Sequence, residues 1–263
     1  MIWVTLGATL IGLSLGMLGS GGSILAVPIL NYWVEQPAKL AVASSLAIVG
    51  GITLLGAIPY AWNREVDWRS VVWFGLPGMV GSWLGAATAQ MLTGAVQLLL
   101  FSVAMFIAAW RMLANRDAGS AAQHGEIEFT ASRMRVAGTG LMVGTITGII
   151  GVGGGFLIVP ALVVLIGLGM RRAIGTSLIV IFINALSGFA KYATLLPTFH
   201  LSFDWQVIGL FVAIGSLGTL VGHALGSRLS QRRLKDVFAI VLIGIALYIV
   251  VHESPKLYLY NKT

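Results

Sequence analysis

Two glycine-rich stretches decide the fold of this chain. Residues 16–30 read GMLGSGGSILAVPIL and residues 148–162 read GIIGVGGGFLIVPAL, with eight of fifteen positions identical at an offset of 132 residues. Further matches follow in the same order: Ser45 with Ser177, Gly56 with Gly188, Tyr60 with Tyr192 and, after a five-residue shift, Asp67-Trp68 with Asp204-Trp205 and Gly78, Gly81 and Gly85 with Gly215, Gly218 and Gly222. Matched blocks in one order indicate a tandem duplication.

The duplication predicts how the chain is divided. We expect an N-terminal repeat at 1–113, a polar linker at 114–133, a C-terminal repeat at 134–252 and a tail at 253–263. Each repeat contains five apolar segments: 2–18, 23–34, 41–62, 71–90 and 95–113 in the first, and 134–150, 156–167, 173–194, 206–227 and 234–251 in the second. A helix needs about 20 residues to cross the hydrocarbon. The last three segments of each repeat reach or approach that length, whereas the segment after each glycine cluster is too short.

Composition indicates a membrane protein with many spans. Of the 263 residues, 57% are apolar and only 10% are charged, whereas a soluble chain has roughly 25% charged residues. The net charge of +7 is spread over short loops, which favours membrane orientation over a nucleic-acid partner. The absence of cysteine excludes disulfides, thiolate metal sites and cysteine nucleophiles, and we expect no cofactor or metal. The first apolar stretch has no basic residue before it, so we expect it to belong to the mature protein.

The glycine clusters allow two arrangements. If each cluster only interrupts one crossing, both repeats face the same way, and the sixteen basic residues divide 9 to 7 between the two sides. If each cluster turns the chain back as a hairpin, the second repeat is inverted, and only Lys39, Lys191, Lys256 and Lys262 lie opposite the other twelve basic residues. The second division obeys the positive-inside rule. We therefore predict an all-α polytopic membrane protein with two inverted-topology repeats, each a re-entrant glycine-rich hairpin plus three spanning helices, with both termini periplasmic.

Broken helices in inverted repeats are typical of secondary transporters, which hold substrate near the membrane midplane. Consecutive glycines let backbone N–H groups approach a ligand, and the helices that follow point their positive ends at it. Two such ends predict a site for a small anion. The residues expected to bind it are Ser20, Gly21, Gly22, Ser23, Ser45, Gly153, Gly154, Gly155, Thr176 and Ser177, with Ser44 as a further hydroxyl donor. We expect Gly78, Gly81, Gly85 and their counterparts to serve helix packing instead, and Pro28 and Pro160 to kink the short helices.

The two glycine motifs, followed by AVASSL around Ser45 and AIGTSL around Ser177, resemble the TauE/SafE family of sulfite and organosulfonate exporters. The resemblance covers nearly the whole chain and carries over to the glycine clusters and the Ser/Thr blocks. It implies a transporter in the bacterial inner membrane that exports small sulfur-containing anions. The two half-sites are not chemically equal, because Val152 stands where the first cluster has Ser20.

Three polar side chains within the apolar segments keep two interpretations each. Lys191 either extends to the interface or contacts the anion in transit. His223 either packs between helices or carries a proton, and Asn184 either bonds across the repeats or lines the pathway. Asp67 and Asp204 are predicted helix caps next to interfacial tryptophans.

Competing function classes are weaker. A hydrolase with Ser20 as nucleophile and His223 as base lacks an orienting carboxylate, and the repeat mates of both residues are apolar. A cation or metal transporter would need Asp, Glu, His or Met ligands at depth, and the core segments contain no Asp or Glu. A carrier or channel for another small anion remains the alternative, and the sequence gives neither the coupling ion nor the oligomeric state.

Overall fold

The computed structural model describes residues 2–18, 22–114, 133–150, 157–159, 161–162, 166–226, 240 and 243–252. Every regular element in these ranges is helical. The helices are α1 (Ile2–Leu18), α2 (Ser23–Pro28, continued by the π-helical Ile29–Trp33), α3 (Ala38–Trp62), α4 (Trp68–Ala89, π-helical at Val71–Gly75), α5 (Gly94–Ala114), α6 (Arg133–Ile150), α7 (Met170–Leu195), α8 (Trp205–Gly226) and α9 (Ile243–His252). The predicted linker and tail lie almost wholly outside the described residues.

Four of the described helices are long and apolar enough to cross a membrane: Ala38–Trp62, Trp68–Ala89, Arg172–Thr198 and Trp205–Leu225. Large apolar side chains such as Leu54, Trp110 and Leu217 are exposed on the outer surface, where lipid rather than water suits them. Helices α3 and α7 each begin three residues earlier than predicted, because Lys39 and Arg171 interrupt the apolar pattern without interrupting the helix.

Helix α1 and the helical segment Ser23–Trp33 lie side by side and run in opposite directions. The rings of Trp3 and Trp33 lie 5.6 Å apart, and a side chain at Gly7 would overlap Ile29. Helices α1 and α2 therefore run antiparallel as a hairpin, and α2 is buried from Ser23 to Pro28. The π-helical turn follows directly after Pro28, where proline cannot supply the backbone hydrogen bond of a regular helix. Pro160 and residues 151–156 of the second cluster lie outside the described residues.

Each half of the chain packs a helix against the other half. Helix α1 lies along α8, with Gly12 against the backbone of Gly215 and Gly16 against that of Thr219. At the duplication offsets, α6 lies along α4 in the same way, with Gly144 against Gly78 and Gly148 against Ser82. Both pairs run parallel, because residue numbers rise together. A side-chain carbon at any of these four first-named glycines would overlap a backbone carbonyl, which confirms that small residues of the two repeats serve close helix packing.

Aspartates begin two of the spanning helices, as the sequence predicts. The Asp67 carboxylate accepts a hydrogen bond from the Ser70 amide at 3.1 Å. The Asp204 carboxylate accepts from the amides of Gln206 and Val207 at 3.0 and 3.1 Å. The neighbouring tryptophans, Trp68 and Trp205, are exposed. Both caps satisfy amides that a helix start leaves without partners.

Candidate functional site

The two central helices, α3 and α7, cross antiparallel near their midpoints. Three contacts define the crossing: Leu46 beside Gly188, Gly50 beside Ala185, and Tyr60 beside Gly175. As residue numbers rise in α3 they fall in α7, so the level of closest symmetry is near residues 51–52 and 183–184. These helices are repeat mates, and they therefore meet at equivalent points.

Asn184 occupies this midpoint and is completely buried. Its backbone carbonyl accepts a hydrogen bond from the Ser82 hydroxyl at 2.8 Å. Its side-chain amide lies against α4 at Gly78, where an added Cβ would be 2.9 Å from Oδ1 and 3.0 Å from Nδ2. Within the described part of the chain, neither Oδ1 nor Nδ2 has a hydrogen-bond partner. Leaving such a buried polar group unpaired costs about 1–3 kcal/mol.

Packing alone does not require an amide at this position. The repeat mate of Asn184 is Ile52, and the repeat mate of Gly78 is Gly215. The Ile52 side chain lies against Gly215, with Cγ1 at 3.0 Å from an added Cβ. The same socket therefore accepts an isoleucine in one repeat and an asparagine in the other. The unpaired amide is a feature of one repeat, and it points to a polar ligand.

The predicted hydroxyl residues lie on both sides of the crossing. Ser45 donates to the carbonyl of Val42 at 2.7 Å, and Ser177 donates to that of Ile174 at 2.8 Å. Both serines are buried. The contacts between α3 and α7 give the level of each serine. Ser45 of α3 lies at the level of the region of Gly188 in α7, and Ser177 of α7 lies at the level of residue 58 in α3. Thirteen residues separate these levels, which is on the order of 20 Å at 1.5 Å per residue. One small anion therefore cannot touch both serines at once.

Thr176 and Ser44 differ although they are repeat mates. The Thr176 hydroxyl accepts a hydrogen bond from the Asp67 amide at 2.9 Å, which ties α7 to the start of α4. The Ser44 hydroxyl is buried and has no partner among the described residues. Ser44 thus keeps a hydroxyl for a ligand, whereas Thr176 already has a structural role.

The structure describes Gly22 of the first glycine cluster and Ser23, which follows it. Gly22 packs against α1, where an added Cβ would be 2.6 Å from the Leu15 amide nitrogen and would overlap the Ile11 carbonyl. Ser23 is completely buried. The remaining predicted cluster residues, Ser20, Gly21, Gly153, Gly154 and Gly155, lie outside the described residues.

Lys191 lies near the C-terminal end of α7 and contacts an aromatic ring. Its Nζ is 4.8 Å from the centre of the Trp83 ring on α4, and the side chain is half-buried. A cation over an indole face is attracted to the ring quadrupole. Both interpretations of Lys191 remain predictions, with Trp83 added as the residue that orients it.

Two tyrosines that the sequence reasoning left without a role make the main polar contacts away from the crossing. The Tyr60 hydroxyl is 2.7 Å from Nδ1 of His223. Its repeat mate, Tyr192, instead accepts from Nε2 of Gln97 at 2.6 Å. The matched spacing of the tyrosines was visible in the sequence, but their partners come from other helices and left no local pattern.

The chain is similar to a family of known membrane proteins. The chain matches the family described as "Sulfite exporter TauE/SafE" over residues 4–249. A "Probable membrane transporter protein" of Xylella fastidiosa strain 9a5c is 35% identical over 94% of both chains. The "Probable membrane transporter protein YunE" of Bacillus subtilis is 24% identical over 89% of this chain and 91% of its own. One from Methanocaldococcus jannaschii is 22% identical over 92% of this chain and 93% of its own. No solved structure matches the chain.

Proposed function

The chain belongs to the TauE/SafE family, and from that premise we propose that it is a secondary transporter that exports sulfite or a short organosulfonate across the inner membrane of a bacterium. The observation that carries the proposal is the unpaired Asn184 amide at the midpoint of the α3–α7 crossing. An amide N–H donates to an oxyanion without adding a fixed charge. The substrate is bound there by Asn184 together with backbone N–H groups of the two glycine clusters.

The repeats are inverted in this proposal, with both termini periplasmic, the linker cytoplasmic and the repeat boundaries those set by the duplication. Two observations support inversion. Helices α1 and α2 run antiparallel as a hairpin, which leaves an odd number of crossings in a repeat. The repeat mates α3 and α7 run antiparallel, whereas repeats facing the same way would give them the same direction.

The serine levels suggest how the anion moves. Ser45 and Ser44 lie on one side of the crossing and Ser177 on the other, each roughly 10 Å from it by helix rise. An anion therefore meets the hydroxyl groups in succession and Asn184 between them. Alternating access around a fixed midplane site needs such a sequence of weak contacts. Lys191 lies on the exit side of this route.

The decisive experiment measures anion affinity and flux in variants that copy the other repeat. Asn184→Ile reproduces the Ile52 side chain in its socket, so we expect folded protein whose affinity for sulfite falls about tenfold or more, since a lost hydrogen bond to an ion is worth about 1.5–3 kcal/mol. Ile52→Asn is the matched control and does not restore binding in the Asn184→Ile protein. Flux into proteoliposomes is measured with sulfite, sulfate, thiosulfate and methanesulfonate. Transport of all four at wild-type rates by Asn184→Ile would remove Asn184 from the site.

The role of the backbone at the clusters has a separate test. Gly154→Ala crowds the approach of the anion, and we expect about a tenfold loss of affinity for one lost charge-assisted hydrogen bond. Ser20→Val copies Val152 and leaves part of the affinity if backbone groups bind the anion. Gly22→Ala is a poor choice, because the added Cβ would overlap the Ile11 carbonyl. Unchanged affinity in Gly154→Ala would make the clusters packing devices only.

Inversion is tested by cysteine labelling, for which a natural chain without cysteine is well suited. Ala38 begins α3 and Met170 begins α7, and the two are repeat mates. We expect Ala38→Cys to react with an impermeant maleimide from the periplasm and Met170→Cys only after the inner membrane is opened. Labelling of both from the same side would restore repeats that face the same way.

A further inference from the structure

One polar pair within the membrane-spanning part has no role in the proposed anion route. Tyr60 on α3 and His223 on α8 are joined by a 2.7 Å hydrogen bond, and their rings pack edge to face with centroids 4.9 Å apart. Tyr60 is buried. The His223 amide nitrogen would be 2.8 Å from a Cβ added to Gly16, so the pair lies against the inner end of α1. The first glycine cluster begins three residues after Gly16.

The duplicated position shows that the fold does not need a histidine here. Ala86 stands at the repeat mate of His223 and is buried. Tyr192, the repeat mate of Tyr60, is satisfied by the Gln97 amide, which also donates to the Ile149 carbonyl at 2.7 Å. The two equivalent tyrosines thus have different partners: an amide, that of Gln97, for Tyr192 and an imidazole, that of His223, for Tyr60.

Few other ionisable groups share the surroundings of His223. Helix α8 packs against α1 and α3. Among the described residues, α1 and the rest of α8 carry no titratable side chain, and α3 carries only Lys39 at its far end besides Tyr60. Arg64 and Glu65 follow in the turn after α3. Among the described residues of these three helices, the His223 imidazole is therefore the basic side chain nearest to Tyr60.

We propose that His223 is a proton-binding site whose protonation favours anion binding on the Ser177 side of the crossing, where Tyr60 lies beside Gly175. The proposal rests on the proposed anion-transport function. In the tautomer with the ring proton on Nε2, Nδ1 accepts the Tyr60 hydroxyl hydrogen. An added proton binds the Nδ1 lone pair, so the hydrogen bond reverses: Nδ1–H donates to the Tyr60 oxygen, and the Tyr60 hydroxyl hydrogen turns away from the ring. No covalent bond other than N–H is formed or broken.

The consequence is a positive charge that exists only when a proton is bound. In a water-poor site, an imidazolium attracts an anion more strongly than in bulk solvent. By linkage, the anion must then increase proton binding by the same factor. Anion binding and proton binding thus become a single coupled event, although Asn184 and the predicted glycine and hydroxyl residues carry no fixed charge. Because Ala86 stands at the equivalent position of the first repeat, this event is confined to one side of the crossing.

The test measures anion affinity against pH with methanesulfonate, whose own charge does not change in the range used. For wild-type protein in detergent we expect affinity about 5- to 100-fold higher at pH 5.5 than at pH 8, the usual range for coupled sites. Binding in weakly buffered solution is accompanied by proton uptake. His223→Gln keeps a hydrogen-bonding partner for Tyr60 but does not titrate, and its affinity changes less than about twofold over the same range.

The controls separate this proposal from the one on which it rests. Tyr192→Phe alters the matched pair in the other repeat and keeps the pH dependence of the wild type. If His223→Gln does not fold, the double variant Tyr60→Phe/His223→Ala replaces it, because it removes both polar partners together. Full pH dependence without His223, or wild-type binding that ignores pH, overturns the proton site and leaves anion transport standing. Wild-type protein that binds none of the four anions overturns both.

Discussion

The two repeats build the same helix contacts and differ where those contacts are polar. Gly12 meets Gly215 as Gly144 meets Gly78, and both pairs bring helices of different repeats into backbone contact. At the centre, however, the second repeat has Asn184 where the first repeat has Ile52. Further out, the partner of Tyr60 is His223, whereas the partner of Tyr192 is Gln97.

This difference separates the residues that set the spacing of the helices from the residues that supply polar groups. The glycines at which the repeats agree allow close packing, and they recur because both halves need the same helix spacing. At the equivalent positions where the repeats differ, one repeat has a polar side chain, Asn184 or His223, and the other an apolar one, Ile52 or Ala86. Because the packing is matched, each repeat serves as the control for the other.

The largest effect on stability is expected from disrupting a glycine contact between helices of the two repeats. Gly144→Leu would push α6 away from the Gly78 backbone, and because no neighbouring side chain can move aside, we expect a cost above the usual 1–3 kcal/mol of overpacking and loss of folded protein. Gly138→Ala is the control on the same helix, since nothing lies within 4 Å of its added Cβ. Thermal unfolding and gel filtration in detergent distinguish them. A folded, monodisperse Gly144→Leu protein would contradict the close helix contact.

The next effect concerns the centre of the crossing. Asn184→Ile removes two buried polar atoms without partners, so we expect the free energy of unfolding to rise by about 1–3 kcal/mol. Ile52→Asn introduces a buried amide without partners in the other repeat, and we expect it to lower the free energy of unfolding by a similar amount. Unfolding in a denaturant series measures both. If Asn184→Ile instead destabilised the ligand-free protein, the amide would have a structural partner.

A smaller effect is expected at the matched tyrosines. Tyr192→Phe removes the 2.6 Å hydrogen bond from Gln97 but leaves the Gln97 amide its bond to the Ile149 carbonyl. The expected loss is about 1 kcal/mol of unfolding free energy. Tyr60→Phe loses a similar amount, because it removes the 2.7 Å hydrogen bond with His223. Unfolding in a denaturant series measures both variants, and an unchanged free energy of unfolding in either would contradict the hydrogen bond of that tyrosine.

The smallest effect is expected at Lys191. Lys191→Met gives up the contact with Trp83, worth about 0.5–1 kcal/mol at an exposed site, whereas Lys191→Arg keeps it. If the cation meets the anion on its way out, flux falls more in Lys191→Met than in Lys191→Arg at equal protein abundance. Equal, near-wild-type flux in both variants would leave Lys191 an interfacial side chain.

Much of the fold could be predicted from the sequence because its signals are local. Long apolar runs, the aspartate caps at Asp67 and Asp204, and consecutive glycines at a hairpin each act within one turn or one segment. The helix starts at 38 and 170 were missed because Lys39 and Arg171 look like loop residues in an apolar pattern. The Asn184 amide was recognised as polar at depth, but its lack of a partner depends on Gly78, which is more than a hundred residues away.

The exchange of helices between repeats also has a consequence for biosynthesis. Helix α1 leaves the ribosome first, yet α8, along which it packs, is made almost 190 residues later. At about 5–20 residues per second, α1 waits roughly 10–40 s in the bilayer with the glycine face of Gly12 and Gly16 uncovered. Neither half can complete its own packing, so fragments cut in the linker should be degraded when expressed singly and accumulate when expressed together. The duplication thus makes assembly of this protein an association of two halves that happen to share one chain.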